Sequence, residues 1–305
     1  MRLRRRTFST LFALAYGVAS CSGGDEHPWV VNADIAAAGS DRAFVAGYVG
    51  MESGFVKQLN SGALTTVHET LGPLGGIWAD DSGTVVAVGA RGDIAIRSDN
   101  VWRSTSLGTE VALRAVWGFG ADNVLAVGHA GAVRRYDGVE WHVEPVPTKS
   151  DLHAVWGSSR DDIFAVGTGG LILRYDGSTW SPMPSGTSED LNSIWGRDAQ
   201  NVYAVGGSET TRRYVVLKYD GTKWSTERMG TPYALLGVHG NTTGDVYAVG
   251  ASRDGDRVRS AMLHFDGSEW HESTPSVGQF LWDALALEDG GCYAVGPDDT
   301  LVRLR

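Results

Sequence analysis

Eight histidines, two cysteines and 36 aspartates and glutamates are the side chains of this 305-residue chain that could hold a metal or move a proton. A zinc or iron site draws on His and Cys at spacings such as H-x-x-x-H or C-x-x-C. No pair of histidines has that spacing, and Cys21 and Cys292 lie far apart, so neither a metal nor a cofactor is expected. Glycoside hydrolysis asks for two carboxylates about 5 to 9.5 Å apart. Acids are plentiful, but most fall in turn sequences such as Asp137-Gly138, Asp176-Gly177, Asp220-Gly221 and Asp266-Gly267. Aspartate is favoured there for turn geometry alone. No catalytic residue is therefore expected, and a polysaccharide-active hydrolase or lyase stands as the alternative to a binding role.

The N-terminus carries a different chemistry. Met1 to Arg6 is basic, and Leu11 to Ala19 is an apolar run of nine residues. That is far short of the roughly 20 that cross a bilayer, so the segment reads as an export signal. It ends in Val18-Ala19-Ser20-Cys21, which resembles the lipobox of bacterial lipoproteins. The resemblance implies cleavage before Cys21 and a lipid on its thiol. Arg5-Arg6-Thr7-Phe8 is similar to the core of a twin-arginine signal, with Arg4 in place of Ser or Thr. These readings divide the chain into a signal peptide (1–20), a lipidated tether (21–26) and a folded part (27–305). They predict a monomer held by its lipid at the bacterial outer membrane. Loss of the signal removes four arginines and no acid, taking the formal charge from −10 to −14. A chain so acidic is not expected to bind nucleic acid, which takes a clustered excess of Lys and Arg.

The elements that would position any site come from internal repetition. Leu113–Glu144 and Leu152–Met183 are near copies, and the glycine closing each A-V-G segment marks the register at Gly47, Gly89, Gly128, Gly167, Gly206, Gly250 and Gly296. Nine of the eleven tryptophans occupy two repeat positions: Trp78, Trp117, Trp156 and Trp195, then Trp102, Trp141, Trp180, Trp224 and Trp270. Each unit reads as four short strands, A to D, separated by turns rich in Asp, Gly, Ser and Asn. With period, strand count and tryptophan placement combined, the chain is predicted to be all-β, a seven-bladed β-propeller of four-stranded antiparallel blades. The last unit supplies only three strands. The orphan His27-Pro-Trp-Val-Val31 is expected to pair into it as the fourth, closing the ring.

Val202-Tyr-Ala-Val-Gly-Gly207, Leu217-Lys-Tyr-Asp-Gly221 and Trp224 are similar to a Kelch repeat, and the D-G-x-x-W turns resemble a shortened Asp-box of the BNR type. Residues 27–305 as a whole resemble secreted bacterial propeller lipoproteins. Most units carry one glycine rather than the Kelch pair, and the turns are one residue too short for an Asp-box. The resemblance therefore implies the fold and no family's active site.

A binding surface is suggested by where the repeats disagree. In a propeller the D–A and B–C connections share one face. The B–C connections lengthen in units one, five and six (Tyr48–Gly54, Ser208–Tyr214, Ala251–Arg259). Insertions gathered on one face of an array commonly mark its binding face. The second residue of strand A also changes from copy to copy: Gly75, Arg114, His153, Asn192, Leu236, Trp282. We read Arg114, His153, Asn192 and Trp282 as candidate recognition residues. Arg212, Arg213, Arg253, Arg257 and Arg259 are expected to add a basic rim. The predicted activity is that of an exported, non-enzymatic module that binds or scaffolds a protein or glycan through this face.

Overall fold

The computed structural model describes residues 30–39, 42–50, 53–109, 111–208 and 210–305. The expected signal, the tether with Cys21, and His27 to Trp29 lie outside the described residues. Seven antiparallel sheets follow one another along the chain. Blade 1 holds β1 (Val30–Ala37), β2 (Ala43–Val49), β3 (Ser53–Asn60) and β4 (Ala63–Thr70). Blade 2 holds β5 (Leu74–Ala79), β6 (Val85–Gly89), β7 (Asp93–Ser98) and β8 (Val101–Ser106). Blade 3 holds β9 (Leu113–Gly118), β10 (Val124–Gly128), β11 (Val133–Tyr136) and β12 (Trp141–Val143). Blade 4 holds β13 (Leu152–Ser159), β14 (Asp162–Gly167), β15 (Ile172–Tyr175) and β16 (Trp180–Met183). Blade 5 holds β17 (Leu191–Asp198), β18 (Asn201–Ser208), β19 (Arg213–Tyr219) and β20 (Trp224–Gly230). Blade 6 holds β21 (Ala234–Gly240), β22 (Val246–Asp254), β23 (Arg257–Phe265) and β24 (Trp270–Ser273). Blade 7 holds β25 (Asp283–Ala286), β26 (Cys292–Val295) and β27 (Leu301–Leu304).

The first strand of each blade packs against the first strand of the next, and β25 packs against β1, so the ring is closed. An apolar cluster fills each of the seven junctions between neighbouring blades. The seven-bladed propeller expected from the sequence is the observed fold. Its closure differs from expectation. Val30 and Val31 belong to β1, the innermost strand of blade 1, and blade 7 has three strands among the described residues. The reason is register: the Val31 carbonyl lies over Gly47 as the Pro73 carbonyl lies over Gly89. Val31 is thus the residue that leads into an inner strand. Its one link to the last blade is an isolated bridge to Pro297.

The repeat glycines have a steric cause. Six A–B pairings slip register at a β-bulge, between Asn32/Asp34, Leu74/Gly76, Val127/Gly128, Leu152/Ala154, Leu191/Ser193 and Leu235/Gly237. The bulge drives the carbonyl of the residue before strand A onto the glycine that ends strand B. A Cβ at Gly128 would lie 2.1 Å from the Ala112 oxygen, and one at Gly206 1.9 Å from the Asp190 oxygen. The tryptophans are complementary. Trp156 lies on Gly196 of the next blade and Trp195 on Gly240, so the W-G pair of the motif is joined between blades rather than within one.

The Asp-Gly turns are four-residue loops, since Tyr136 pairs Trp141 and Tyr175 pairs Trp180 across them. Only the glycine is left-handed, at φ from +90° to +96°. The aspartate acts through its side chain. Asp137 Oδ1 accepts the Val139 and Glu140 N–H at 2.8 Å each, and Asp176, Asp220 and Asp266 repeat the arrangement. The Glu140 amide chiefly holds Asp137 down at about 2, the Thr179 amide does so for Asp176, and the Thr222 hydroxyl for Asp220. Carboxylates depressed in the fold stabilise it above their ordinary value near ~4 and lose that effect as pH falls toward about 2. Acid unfolding monitored by tryptophan fluorescence should therefore steepen below pH ~4. The triple variant Asp137→Asn, Asp176→Asn, Asp220→Asn should show a shallower slope there; an unchanged slope would assign acid lability to other groups.

Candidate functional site

Antiparallel order puts the start of each inner strand and each B–C connection on one face, and that face is uneven. In blades 2, 3 and 4 the B–C connection is a single 3-10 turn (Ala90–Gly92, His129–Gly131, Thr168–Gly170). In blades 1, 5 and 6 the strands stay paired to the hairpin tip, at Val49 with Ser53, Ser208 with Arg213 and Asp254 with Arg257. The expected lengthening is thus strand extension, and only the short turn of blade 7 interrupts the raised sector.

The variable second residue of strand A is the extra residue of the bulge: Arg114, His153, Asn192 and Leu236 are each skipped in the A–B register. A bulge breaks the pairing and re-aims its side chain, which explains why this position alone is free to vary. Two of the candidates spend that freedom on holding blades together. His153 Nδ1 donates to the Leu191 carbonyl at 3.0 Å, leaving Nε2 to accept the Thr168 hydroxyl at 3.2 Å. Burial, then the Arg114 charge, pushes His153 down to about 4, so it is neutral at pH 7. Asn192 Nδ2 donates to Gly207 O (3.1 Å) and to Leu235 O of the next blade (2.8 Å). In the free protein both side chains are thus engaged between blades rather than unpartnered.

Trp282 stands at the equivalent place in blade 7. It stacks on Phe280 at 5.2 Å between centroids with planes 10° apart, and the Arg253 guanidinium of blade 6 lies over the Phe280 ring at 5.4 Å from its centroid. Phe280 is buried, Trp282 half-buried and Arg253 exposed. Strand alternation divides the expected basic rim. Arg253 turns toward blade 7. Arg257 and Arg259 share the side of Ala261 and Leu263, which packs on blade 5, and Arg213 shares the side of Val215 and Leu217, which packs on blade 4. The rim is a broken arc rather than one patch.

Charge pairing differs in extent between the two faces, and the hairpin face has its own pair in Arg91 with Asp93 at 3.8 Å. Toward the A–B and C–D turns, guanidiniums are neutralised: Arg160 by Asp122 at 2.7 Å, Arg174 by Asp162 at 2.8 Å, Arg197 by Asp198 at 3.2 Å, Arg303 by Asp289 at 2.6 Å. On the hairpin face Arg212, Arg213, Arg253, Arg257 and Arg259 are all exposed, and none has an ion-pair or hydrogen-bond partner among the described residues. On this face Asp151 and Asp190 cap the Ala130 and Gly169 amides and Glu189 holds the Thr211 hydroxyl, while Asp254 and Asp256 lie exposed in the blade 6 hairpin between Arg253 and Arg257.

No group of three or more His, Cys, Asp or Glu that could hold a metal exists among the described residues. Cys292 is buried, and burial pushes its thiol up to about 12. A shallow depression lined by Trp78, Asp80, Asp81, Ser82, Phe119 and Gly120 opens on the opposite face. Sequence reading missed one pair altogether. Asp34 of β1 and Asp283 of β25, at the repeat position that follows the bulge, meet across the closing junction. The signal was present, since the same position holds Gly76, Ala115, Ala154, Ser193 and Gly237 elsewhere.

No protein-family model and no curated protein matches the sequence significantly. Solved structures do match in fold. The chain is similar to a structure described as YCF48 bound to D1 peptide, at 13% identity and a TM-score of 0.66, covering 92% of this chain and 94% of that one. It is similar to the WD40 propeller domain of Doa1, at 11% identity and a TM-score of 0.67 over 92% and 93% of the two chains. It also matches the extracellular domain of a putative hybrid two-component system from B. thetaiotaomicron, at 12% identity and a TM-score of 0.65, covering 93% of this chain but 39% of that one. At these identities the likeness establishes the propeller.

Proposed function

We propose that the protein is a binding module that captures an acidic, extended segment of a partner protein along the raised hairpins of blades 5 and 6, with Arg253 and the Phe280–Trp282 stack beside it. The observation that carries this reading is the set of five exposed arginines on one face of an acidic molecule, none with an ion-pair partner among the described residues and one, Arg253, resting on the Phe280 ring. Free guanidiniums on rigid hairpins form bidentate bonds with carboxylates at little ordering cost. A cation held over an aromatic ring is oriented before the partner arrives. That a propeller of this shape has been seen with a peptide bound supports a protein partner. The export signal and the lipobox-like Cys21 support display from a bacterial envelope membrane, where lipid rather than a helix would be the anchor. No helix among the described residues is long and apolar enough to cross a bilayer.

Panning phage-displayed random peptides on the purified protein should enrich Asp- and Glu-rich sequences whose affinity falls as salt rises. Arg253→Glu with Trp282→Ala should weaken the enriched peptides by about 2 kcal/mol, roughly thirtyfold, with the ring still folded by circular dichroism. Peptides that bind this double variant as well as the wild type would move the site elsewhere. Displacement by a sulfated oligosaccharide at equal affinity would change the partner class to an acidic glycan.

A further inference from the structure

The junction of blades 7 and 1 is where the two ends of the described chain meet, and no strand is shared across it among the described residues. Its apolar cluster joins Ile35, Val45 and Leu59 to Leu285 and Val295. Its polar contacts are unlike those of the other six junctions. Lys57 of β3, itself buried, forms an ion pair with Asp299 of the β26–β27 turn. Deeper in, the carboxyls of Asp34 and Asp283 lie within hydrogen-bonding reach of each other. The Ile35 N–H points at both, 2.8 Å from Asp34 Oδ1 and 3.4 Å from Asp283 Oδ2, and the Ile77 N–H donates to Asp34 Oδ2 at 2.7 Å. Two charged carboxylates cannot share such a site without strong repulsion, whereas one proton between them makes a short O–H···O bond.

We propose that the ring is closed by a proton: Asp34 and Asp283 form a one-proton carboxyl pair that latches the first and last inner strands, and loss of that proton loosens this junction alone. Among the described residues, the elements packed on the pair offer no cation to neutralise it. β5 carries no ionisable residue. β25 carries none besides Asp283, and β26 presents Tyr293 on the side of blade 1 and the Cys292 thiol on the side of blade 6, neither of them a cation. β21 presents His239, whose Nδ1 accepts the Ala286 N–H, while Gly237 backs directly onto Asp283. Burial pushes His239 down to about 4, so it brings no positive charge at neutral pH. Lys57 is committed to Asp299. Burial first and the Asp34 charge second raise Asp283 well above the usual carboxylate range.

The sign follows from linkage. The folded ring holds a proton that the unfolded chain releases near pH ~4, so this contribution is complete below that pH and is lost as pH rises through the raised value. Thermal unfolding of the full chain between about pH 5 and 9 should show a Tm that falls with rising pH. In Asp283→Asn the amide donates to Asp34 with no need of a titrating proton, so its Tm should lose that fall and exceed the wild type at the alkaline end. Parallel Tm profiles for the two proteins would overturn the proposal. Should Asp283→Asn fail to fold, Asp34→Ser with Asp283→Ser copies the residue that blade 5 uses at this position. In the wild type, hydrogen exchange at Ile35 and Ala284 should also accelerate with pH beyond that at Ala154, in the junction of blades 3 and 4. Equal acceleration at the two junctions would contradict a local latch.

Discussion

Trp156→Ala is expected to remove about 4 kcal/mol of folding stability, within the range measured when a buried aromatic is cut to alanine. Trp156 is 4% exposed, lies among Phe164, Ile172, Leu191, Ile194 and Trp224, and covers Gly196 of the next blade. The hole cannot collapse readily, because inner strands on both sides are held by backbone pairing and by a closed ring. Domains of ordinary stability have ~5 to 15 kcal/mol to lose, so urea unfolding should show a midpoint lowered by about a quarter or more. Val139→Ala, at a site 85% exposed in a turn, should leave the midpoint unchanged. A Trp156→Ala loss below about 1.5 kcal/mol would mean that blades do not depend on one another through these tryptophans.

Gly128→Ala is expected to cost on the order of 3 kcal/mol for a different reason. Gly128 has an extended backbone that any residue adopts, at φ −174°, so conformational freedom is not the issue. The new methyl would sit 2.1 Å from the Ala112 oxygen and 2.8 Å from the Leu113 Cα, both backbone atoms that cannot step aside. Relief requires undoing the bulge that aims Arg114. Gly278→Ala makes the contrasting case: φ is +70° with open space around the Cβ, and the cost should be about 1 kcal/mol. Equal losses at the two sites, by chemical denaturation, would show that the repeat glycine is kept for its torsion and not for close approach.

These two positions show why so much of the architecture was legible. A motif that must fill the same wedge seven times repeats its tryptophans and glycines, and repetition survives without any alignment. The bulge left a legible trace as well, because Arg114, His153 and Asn192 differ where their neighbours agree. What each does was not legible. Whether His153 faces a ligand or the Leu191 carbonyl depends on the next blade, 38 residues on. Ring closure was legible only in part: Val31 pairs with Tyr48 in blade 1 as a matter of register, and His27 to Trp29 lie outside the described residues. The Asp34–Asp283 pair joins residues from opposite ends of the chain. Nothing local predicts such a meeting until the ring is drawn. The arginines were legible as a cluster but not as an arc, because the direction of each side chain follows from strand alternation within its own hairpin.

The assignment of function to one face is tested most directly by hydrogen–deuterium exchange on the purified protein, with and without an acidic peptide selected by panning. Protection is expected at the hairpin tips around Arg212–Arg213 and Arg253–Arg259 and at Phe280–Trp282. The turns Asp137–Glu140, Asp176–Thr179 and Asp220–Lys223 on the other face should exchange unchanged. Protection confined to those turns, with the arginine hairpins unaffected, would contradict it.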